Sequence, residues 1–104
     1  NPEVSAQEIN SLINYQKGAV VSRTIIKKPK GTVTLFAFDE GEELSEHTSP
    51  YEAMVQILDG SAEIKISGET YNVSAGEYIM LPADEPHALF AREQFKMLLT
   101  MVRE

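Results

Sequence analysis

The sequence predicts an all-β protein, a small antiparallel barrel or sandwich, on three observations. From Ala19 to Val102 apolar residues alternate with polar ones over short stretches, a period of two that is typical of half-buried strands. Turn signals rich in Gly, Pro, Asp and Ser interrupt this alternation about every eight residues. The two histidines of the chain, His47 and His87, can meet only if the strands between them fold back on one another. Together these features predict about nine short strands.

The chain has 104 residues, of which 42% are hydrophobic and 24% are charged, and its formal net charge is −7. This length suits one domain with one packed core. We expect a single domain over residues 1–104, with a helical or extended arm over 1–18 and the barrel over 19–104. The net charge argues against nucleic acid, whose phosphates are bound by clustered Lys and Arg, and against an anionic membrane surface.

Two absences in the sequence narrow the class of protein further. The chain has no cysteine, so we expect neither disulfides nor a thiolate metal site. Its apolar runs are too short to span a membrane, and the residues Asn1 to Val4 contain no basic region followed by an apolar core. We therefore expect a cytoplasmic location.

The N-terminal arm contains a helix signal. The segment from Ser5 to Glu8 has the spacing of a capping box, with Ser5 as N-cap. Ile9, Leu12 and Ile13 then follow at helical spacing. The pattern predicts a short amphipathic helix that ends by Gly18 and lies against the outside or one end of a sheet.

The strand over residues 51–58 has apolar residues on both faces. One face, which includes Ala53, is predicted to face the barrel interior, and the other carries Met54 and Leu58 around Gln56. An apolar outer face of this kind is a plausible seam for a homodimer. Asp59-Gly60 predicts a hairpin after this strand. The other strands are predicted over 19–26, 32–38, 44–47, 61–67, 70–73, 77–81, 87–91 and 95–102.

The chain's best-defined motif begins at a glycine and includes the first histidine. It reads Gly41-x5-His47-x-Ser49-x3-Ala53-x6-Gly60. This run resembles the first motif of the cupin family, G-x5-H-x-H-x3,4-E-x6-G.

A second run contains the other histidine and reads Gly76-x5-Pro82-x-Asp84-x2-His87-x3-Ala91. It resembles the second cupin motif, G-x5-P-x-G-x2-H-x3-N. Fifteen residues separate the two runs, the short spacer of compact microbial cupins. The resemblance implies a double-stranded β-helix, the jelly-roll barrel of cupins, here preceded by a short N-terminal helix.

In cupins, two histidines and a glutamate of the first motif and the histidine of the second bind a metal inside the barrel. The resemblance therefore makes His47 and His87 candidate metal ligands. Ser49 stands where the second histidine would be, and Ala53 stands where the glutamate would be. Catalytic sites for iron, manganese or zinc have at least three protein ligands, so the metal set implied by the resemblance is incomplete.

Three acidic residues are candidates to complete the set. Asp84 lies in the loop that leads into His87 and could reach the mouth of the barrel. Strand alternation directs Glu52 and Glu46 away from the interior. The sequence thus predicts a pocket formed by His47, Ser49, Ala53, Asp84 and His87, with at most a weakly bound divalent transition metal.

Three functional hypotheses follow. The first is a small cupin that binds a small molecule, or weakly a metal, through His47 and His87, or serves as an accessory dimer. The second is a metal-dependent cupin enzyme, a dioxygenase or isomerase, whose site is completed by Asp84, water or substrate. The third is a sensor or regulatory domain cut from, or working beside, a DNA-binding partner. The missing ligands favour the first hypothesis.

Most of the methionines and all phenylalanines are expected to fill the barrel core rather than to form a ligand cage. They are Met80, Met97, Met101, Phe36, Phe38, Phe90 and Phe95.

Overall fold

The computed structural model of the protein describes residues 4–104, so residues 1–3 of the predicted arm lie outside the described part. It confirms the all-β prediction. Within residues 4–104, one 3-10 turn (Ile9–Leu12) is followed by eight strands. The strands are β1 (Val20–Lys28), β2 (Gly31–Phe38), β3 (Glu43–His47), β4 (Glu52–Ile66), β5 (Glu69–Ser74), β6 (Tyr78–Leu81), β7 (His87–Phe90) and β8 (Phe95–Val102).

The strands form one antiparallel sheet that curls into a barrel. Its order is β1-β2-β8-β4-β7-β3, and β5 and β6 also pair with β4. The first half of β4 pairs with β8 and β6, and its second half pairs with β7 and β5. β4 therefore belongs to both walls of the barrel. Within residues 4–104 no helix has the length and apolar character needed to span a membrane.

The hairpin predicted at Asp59-Gly60 is wrong, because β4 continues through it from one wall to the other. A bulge lies between Ile57 and Asp59, and Gly60 has a φ of +72°. A Cβ atom at this glycine would lie 2.1 Å from the carbonyl oxygen of Gln94. Only glycine suits this close approach, and the predicted turn is instead a corner of the barrel.

The bulge also shifts the alternation along β4 by one residue. Before it, Ala53, Val55 and Ile57 are buried; after it, Ala62 and Ile64 are buried. One extra residue on a strand reverses the faces of all that follow. The strand can therefore turn the corner and still direct apolar side chains inward, and both inward sets agree with the sequence prediction.

The predicted capping box is also wrong. Glu8 occupies the N-cap position with extended backbone angles and no side-chain cap hydrogen bond, and Ile13 is already extended again. A single short turn cannot offset the cost of helix nucleation. Ile13, 4% exposed, instead packs against Leu35 and Ala37, which places the arm on the outside of the sheet, as expected.

Side-chain hydrogen bonds hold this arm in place. Arg23 donates to the carbonyl of Leu12 over 2.9 Å, and Lys96 donates to the carbonyl of Asn10 over 2.7 Å. The hydroxyl of Tyr15 donates to the carboxylate of Asp59 over 2.6 Å. The arm packs against Leu58, one residue of the predicted dimer seam, and the homodimer stays a prediction.

Candidate functional site

The two histidines lie directly opposite each other on neighbouring strands. His47 of β3 and His87 of β7 are register partners, and opposed residues of an antiparallel pair project to the same face of the sheet. Their ring centroids are 4.3 Å apart and the ring planes meet at 66°. One small species can therefore contact both imidazoles.

A bulge in β3 directs His47 into the barrel. Between Leu44 and His47 the strand has one residue more than its partner strand β7. Simple alternation from Leu44 would turn Glu46 inward and His47 outward, whereas the extra residue reverses this order. Leu44 and His47 consequently line the same cavity, and Glu46 is exposed.

Both imidazoles are held by the same kind of backbone contact. The Nδ1 atom of His47 lies 2.8 Å from the carbonyl oxygen of Ser45, and that of His87 lies 3.2 Å from the carbonyl oxygen of Glu85. A carbonyl oxygen only accepts hydrogen bonds, so each Nδ1 is the protonated donor. In the neutral ring, Nε2 then carries a lone pair that can accept a hydrogen bond or bind a metal.

The two histidines differ in their exposure to water. His87 is 8% exposed, and His47 is exposed. Burial lowers the pKa of His87 below its ordinary value of 6.5; the neighbouring His47 acts in the same direction, while the hydrogen bond to Glu85 opposes the shift. His87 is therefore neutral at physiological pH, with its Nε2 lone pair available.

The histidines line a cavity of about 60 Å³ inside the barrel. Two more polar residues, Ser49 and Tyr51, also line it. A cavity of this volume holds a few water molecules or a ligand group of similar size, and it is far smaller than the roughly 300–1,000 Å³ of typical drug-sized sites. The remainder of its wall is apolar: Leu44, Ala53, Val55, Leu81, Leu89, Met97, Leu99 and Met101.

The structure places Ser49 and Ala53 at the same cavity. The Ser49 hydroxyl accepts a hydrogen bond from the Tyr51 backbone N–H over 3.1 Å, which stabilises the turn into β4. Ala53 is 5% exposed and has no donor atom on its side chain. Four of the five predicted pocket residues, His47, Ser49, Ala53 and His87, are thus brought together.

The fifth predicted pocket residue, Asp84, is exposed and is not part of the cavity wall. Its φ of +65° lies in the left-handed region, which Asp tolerates better than most non-glycine residues. Its backbone N–H donates to the carbonyl of Ser49 over 2.8 Å. Glycine, which the second cupin motif has at this position, adopts such a conformation without steric cost. The contact between Asp84 and Ser49 joins the loops before β4 and β7. Glu52 is exposed as well.

Of the methionines predicted to fill the core, Met97 and Met101 line the histidine cavity, whereas Met80 is exposed and its predicted place in the core is wrong. Met97 and Met101 alternate inward along β8 with Leu99. The alternation of β8 predicts their common face. Their position beside Ala53 depends on the pairing of β8 with β4, which no local signal in the sequence reveals.

The motif and the fold agree with a known family. The sequence profile of the cupin domain matches residues 34–103, so the chain belongs to the cupin family. A curated relative described as polyketide synthase CurC, from Streptomyces cyaneus, is 36% identical over 58 residues. That match covers 55% of this chain and only 38% of the relative.

Solved structures support the same assignment over nearly the whole chain. A conserved protein of unknown function from Streptococcus pyogenes is 38% identical and has a TM-score of 0.94, covering 100% of this chain and 91% of that one. A cupin superfamily protein from Desulfitobacterium hafniense is 26% identical, with a TM-score of 0.93 and coverage of 99% and 94%. A cupin 2 conserved barrel domain protein from Leptotrichia buccalis is 38% identical, with a TM-score of 0.88, and the match spans 90% of this chain and 46% of that protein.

The residues at the cavity do not fit the four-ligand metal set of the family. Ser49 and Ala53 occupy the positions of its second histidine and its glutamate. Among residues 4–104 no three or more His, Cys, Asp or Glu side chains lie close enough together to hold an ion. An ion of the family's usual kind would have two imidazoles and no carboxylate to balance its charge.

Proposed function

We propose that this cupin is a binding protein whose barrel cavity takes a small ligand through the Nε2 atoms of His47 and His87. One observation carries the proposal: two imidazoles, each held at Nδ1 by a backbone carbonyl, stand 4.3 Å apart on one cavity. Because both imidazoles are oriented before the ligand arrives, binding to them costs little conformational entropy.

The cavity sets the chemistry of that ligand. The apolar wall favours a small apolar body, and the two Nε2 lone pairs favour a hydrogen-bond donor or a weakly held metal ion on it. The volume of about 60 Å³ suits a group of a few non-hydrogen atoms. Small alcohols and phenols combine these properties.

An enzymatic role receives less support from the site. The hypothesis of a metal-dependent enzyme draws a third ligand from Asp84, water or substrate, and Asp84 is exposed with its backbone committed to the contact with Ser49. A metal with two imidazole ligands and otherwise water is held weakly.

The test is a thermal-shift series with ethanol, phenol and Zn²⁺, read together with the side-chain ¹⁵N signals of the histidines. A ligand at about 100 times its Kd stabilises the folded state by ~2.7 kcal/mol, which is measurable as a rise in Tm. We expect at least one probe to raise Tm and to move the Nε2 signals of both histidines.

Two variants and one control make the test specific. His47→Ala and His87→Ala should abolish the rise in Tm. Tyr71→Ala, at an exposed position of β5 that is not part of the cavity wall, should respond like the wild type. A ligand response that persists in both histidine variants, or Nε2 signals unmoved by every probe, contradicts the proposal.

A further inference from the structure

We infer that Met101 supplies the third donor of the cavity and that the site takes a soft monovalent cation, Cu(I), between one thioether and two imidazoles. The inference rests on the proposed binding role of His47 and His87 and names a ligand for that site. The cavity lacks two of the four metal ligands that are usual in cupins, the second histidine and the glutamate.

Met101 lies directly opposite Ala53 on the neighbouring strand. The two residues are register partners on β8 and β4, so their side chains project to the same face with Cβ atoms about 5 Å apart. Both line the histidine cavity. Met101 therefore stands beside the place that the family gives to glutamate.

The other strand that pairs with β4 at Ala53 offers no ligand. On its opposite side the register partner is Leu81 of β6, whose side chain has no donor atom. Of the two residues that flank Ala53, only Met101 can reach into the vacated space with a ligand atom. Its flexible side chain and polarisable sulfur adapt to irregular spaces of this kind.

The donors His47, His87 and Met101 favour a monovalent over a divalent ion. Two imidazoles and a thioether contribute no negative charge, so a divalent ion would be bound without a balancing carboxylate, which is costly. Thioether ligands select Cu(I), and imidazole also binds copper. Zinc in proteins is bound by thiolate, imidazole and carboxylate groups rather than by thioethers.

The surroundings of the cavity suit a single positive charge. His47 is exposed and His87 is 8% exposed, which gives an ion a route from solvent to the deeper imidazole. The net charge of −7 attracts cations to the molecule as a whole. The hydrogen bonds at Nδ1 fix the tautomer in which both Nε2 atoms are ready to ligate.

The experiment is an anaerobic titration of the folded protein with Cu(I) in competition with the coloured chelator bicinchoninate. We expect one equivalent of Cu(I) to be withheld from the chelator. X-ray absorption of the complex should show both nitrogen and sulfur neighbours of copper. Zn²⁺ in excess should not displace the Cu(I).

Matched methionine variants assign the sulfur. Met101→Leu keeps the size of the side chain and removes the thioether, and it should weaken Cu(I) binding about 10-fold or more and abolish the sulfur signal. Met80→Leu, at an exposed position of β6, should change neither. Met97→Leu is the stricter control, because Met97 lines the same cavity but pairs with Ile57 rather than Ala53.

Three outcomes overturn the inference: no Cu(I) withheld by the wild type, no sulfur neighbour of copper in the wild-type complex, or unchanged Cu(I) binding in Met101→Leu. Circular dichroism of each variant confirms that it is folded. If ethanol or phenol moves the histidine Nε2 signals while Cu(I) is not bound, the proposed function stands and only the copper assignment fails.

Discussion

The interior of the barrel differs between the surroundings of Phe95 and those of His87. Phe38 and Phe95 are fully buried and stacked, with ring centroids 4.4 Å apart. Beside His87 the wall instead encloses a cavity of about 60 Å³. Strand β4 has a buried alanine on each side of Gly60, and only one of the two, Ala53, lines the cavity, whereas Ala62 does not.

The same residue type therefore has opposite consequences in the two regions. Ala62 is 2% exposed and is not part of the cavity wall, whereas Ala53 lines the cavity at the position where cupins have glutamate. Open space next to two oriented imidazoles is typical of a site for a ligand rather than of core packing.

The largest effect on stability is expected for a substitution at Phe95. Phe95→Ala should lower the free energy of unfolding by about 3–5 kcal/mol, because it removes a fully buried ring and the stacking of that ring on Phe38. Urea denaturation measures the change. Tyr71→Ala, at an exposed position, is the control and should stay within about 1 kcal/mol of the wild type. A similar small loss for Phe95→Ala would mean that this region is not tightly packed.

Stability should be next most sensitive to substitution of Gly60, at the corner of the barrel. Gly60→Ala should lower the free energy of unfolding by more than ~2 kcal/mol, since the left-handed conformation alone costs about 1–2 kcal/mol for a residue with a Cβ and the new atom meets the Gln94 carbonyl. Gly41→Ala is the control for backbone conformation alone: its φ is +87° and a Cβ there meets nothing within 4 Å. Equal losses in both variants, measured in urea, would remove the steric argument.

A pair of identical substitutions compares the two regions directly. Ala62→Val should cost about 1–3 kcal/mol, because added methyl groups overpack a filled core. Ala53→Val should stay within about 1 kcal/mol of the wild type, or stabilise the protein, because the methyl groups enter open space. The same variant should weaken ligand binding. Tm and urea midpoints of both variants check this, and an equal cost at both positions would contradict the difference in packing.

The smallest effect concerns pH. Burial lowers the pKa of His87 below 6.5, so between that lowered pKa and 6.5 the unfolded chain binds more protons than the folded one. The free energy of unfolding is then highest above about pH 6.5 and decreases as the pH falls below that value. Urea denaturation at pH 7.5 and 5.5 should show this decrease in the ligand-free protein. His87→Gln, which cannot titrate, should show a smaller decrease; an equal decrease would remove His87 as its source.

Much of the fold and part of the site follow from local sequence pattern. Alternation correctly predicts the inward faces of β4 on both sides of Gly60 and the shared face of His87 and Leu89, because a strand's side-chain period is a local property. The two motifs identify the cupin barrel, and the substitutions at Ser49 and Ala53 show that its metal set is incomplete.

Other features depend on contacts between distant parts of the chain. The sequence by itself determined most of the strands, the barrel class and the choice of His47 and His87 as candidate site residues. Only the tertiary structure decided that β4 continues through Gly60, that a bulge turns His47 inward, and that Met101 stands beside Ala53. The physical reason is that bulges and register are set by the pairing of two strands and by the close approach of backbones, and neither strand alone carries that information.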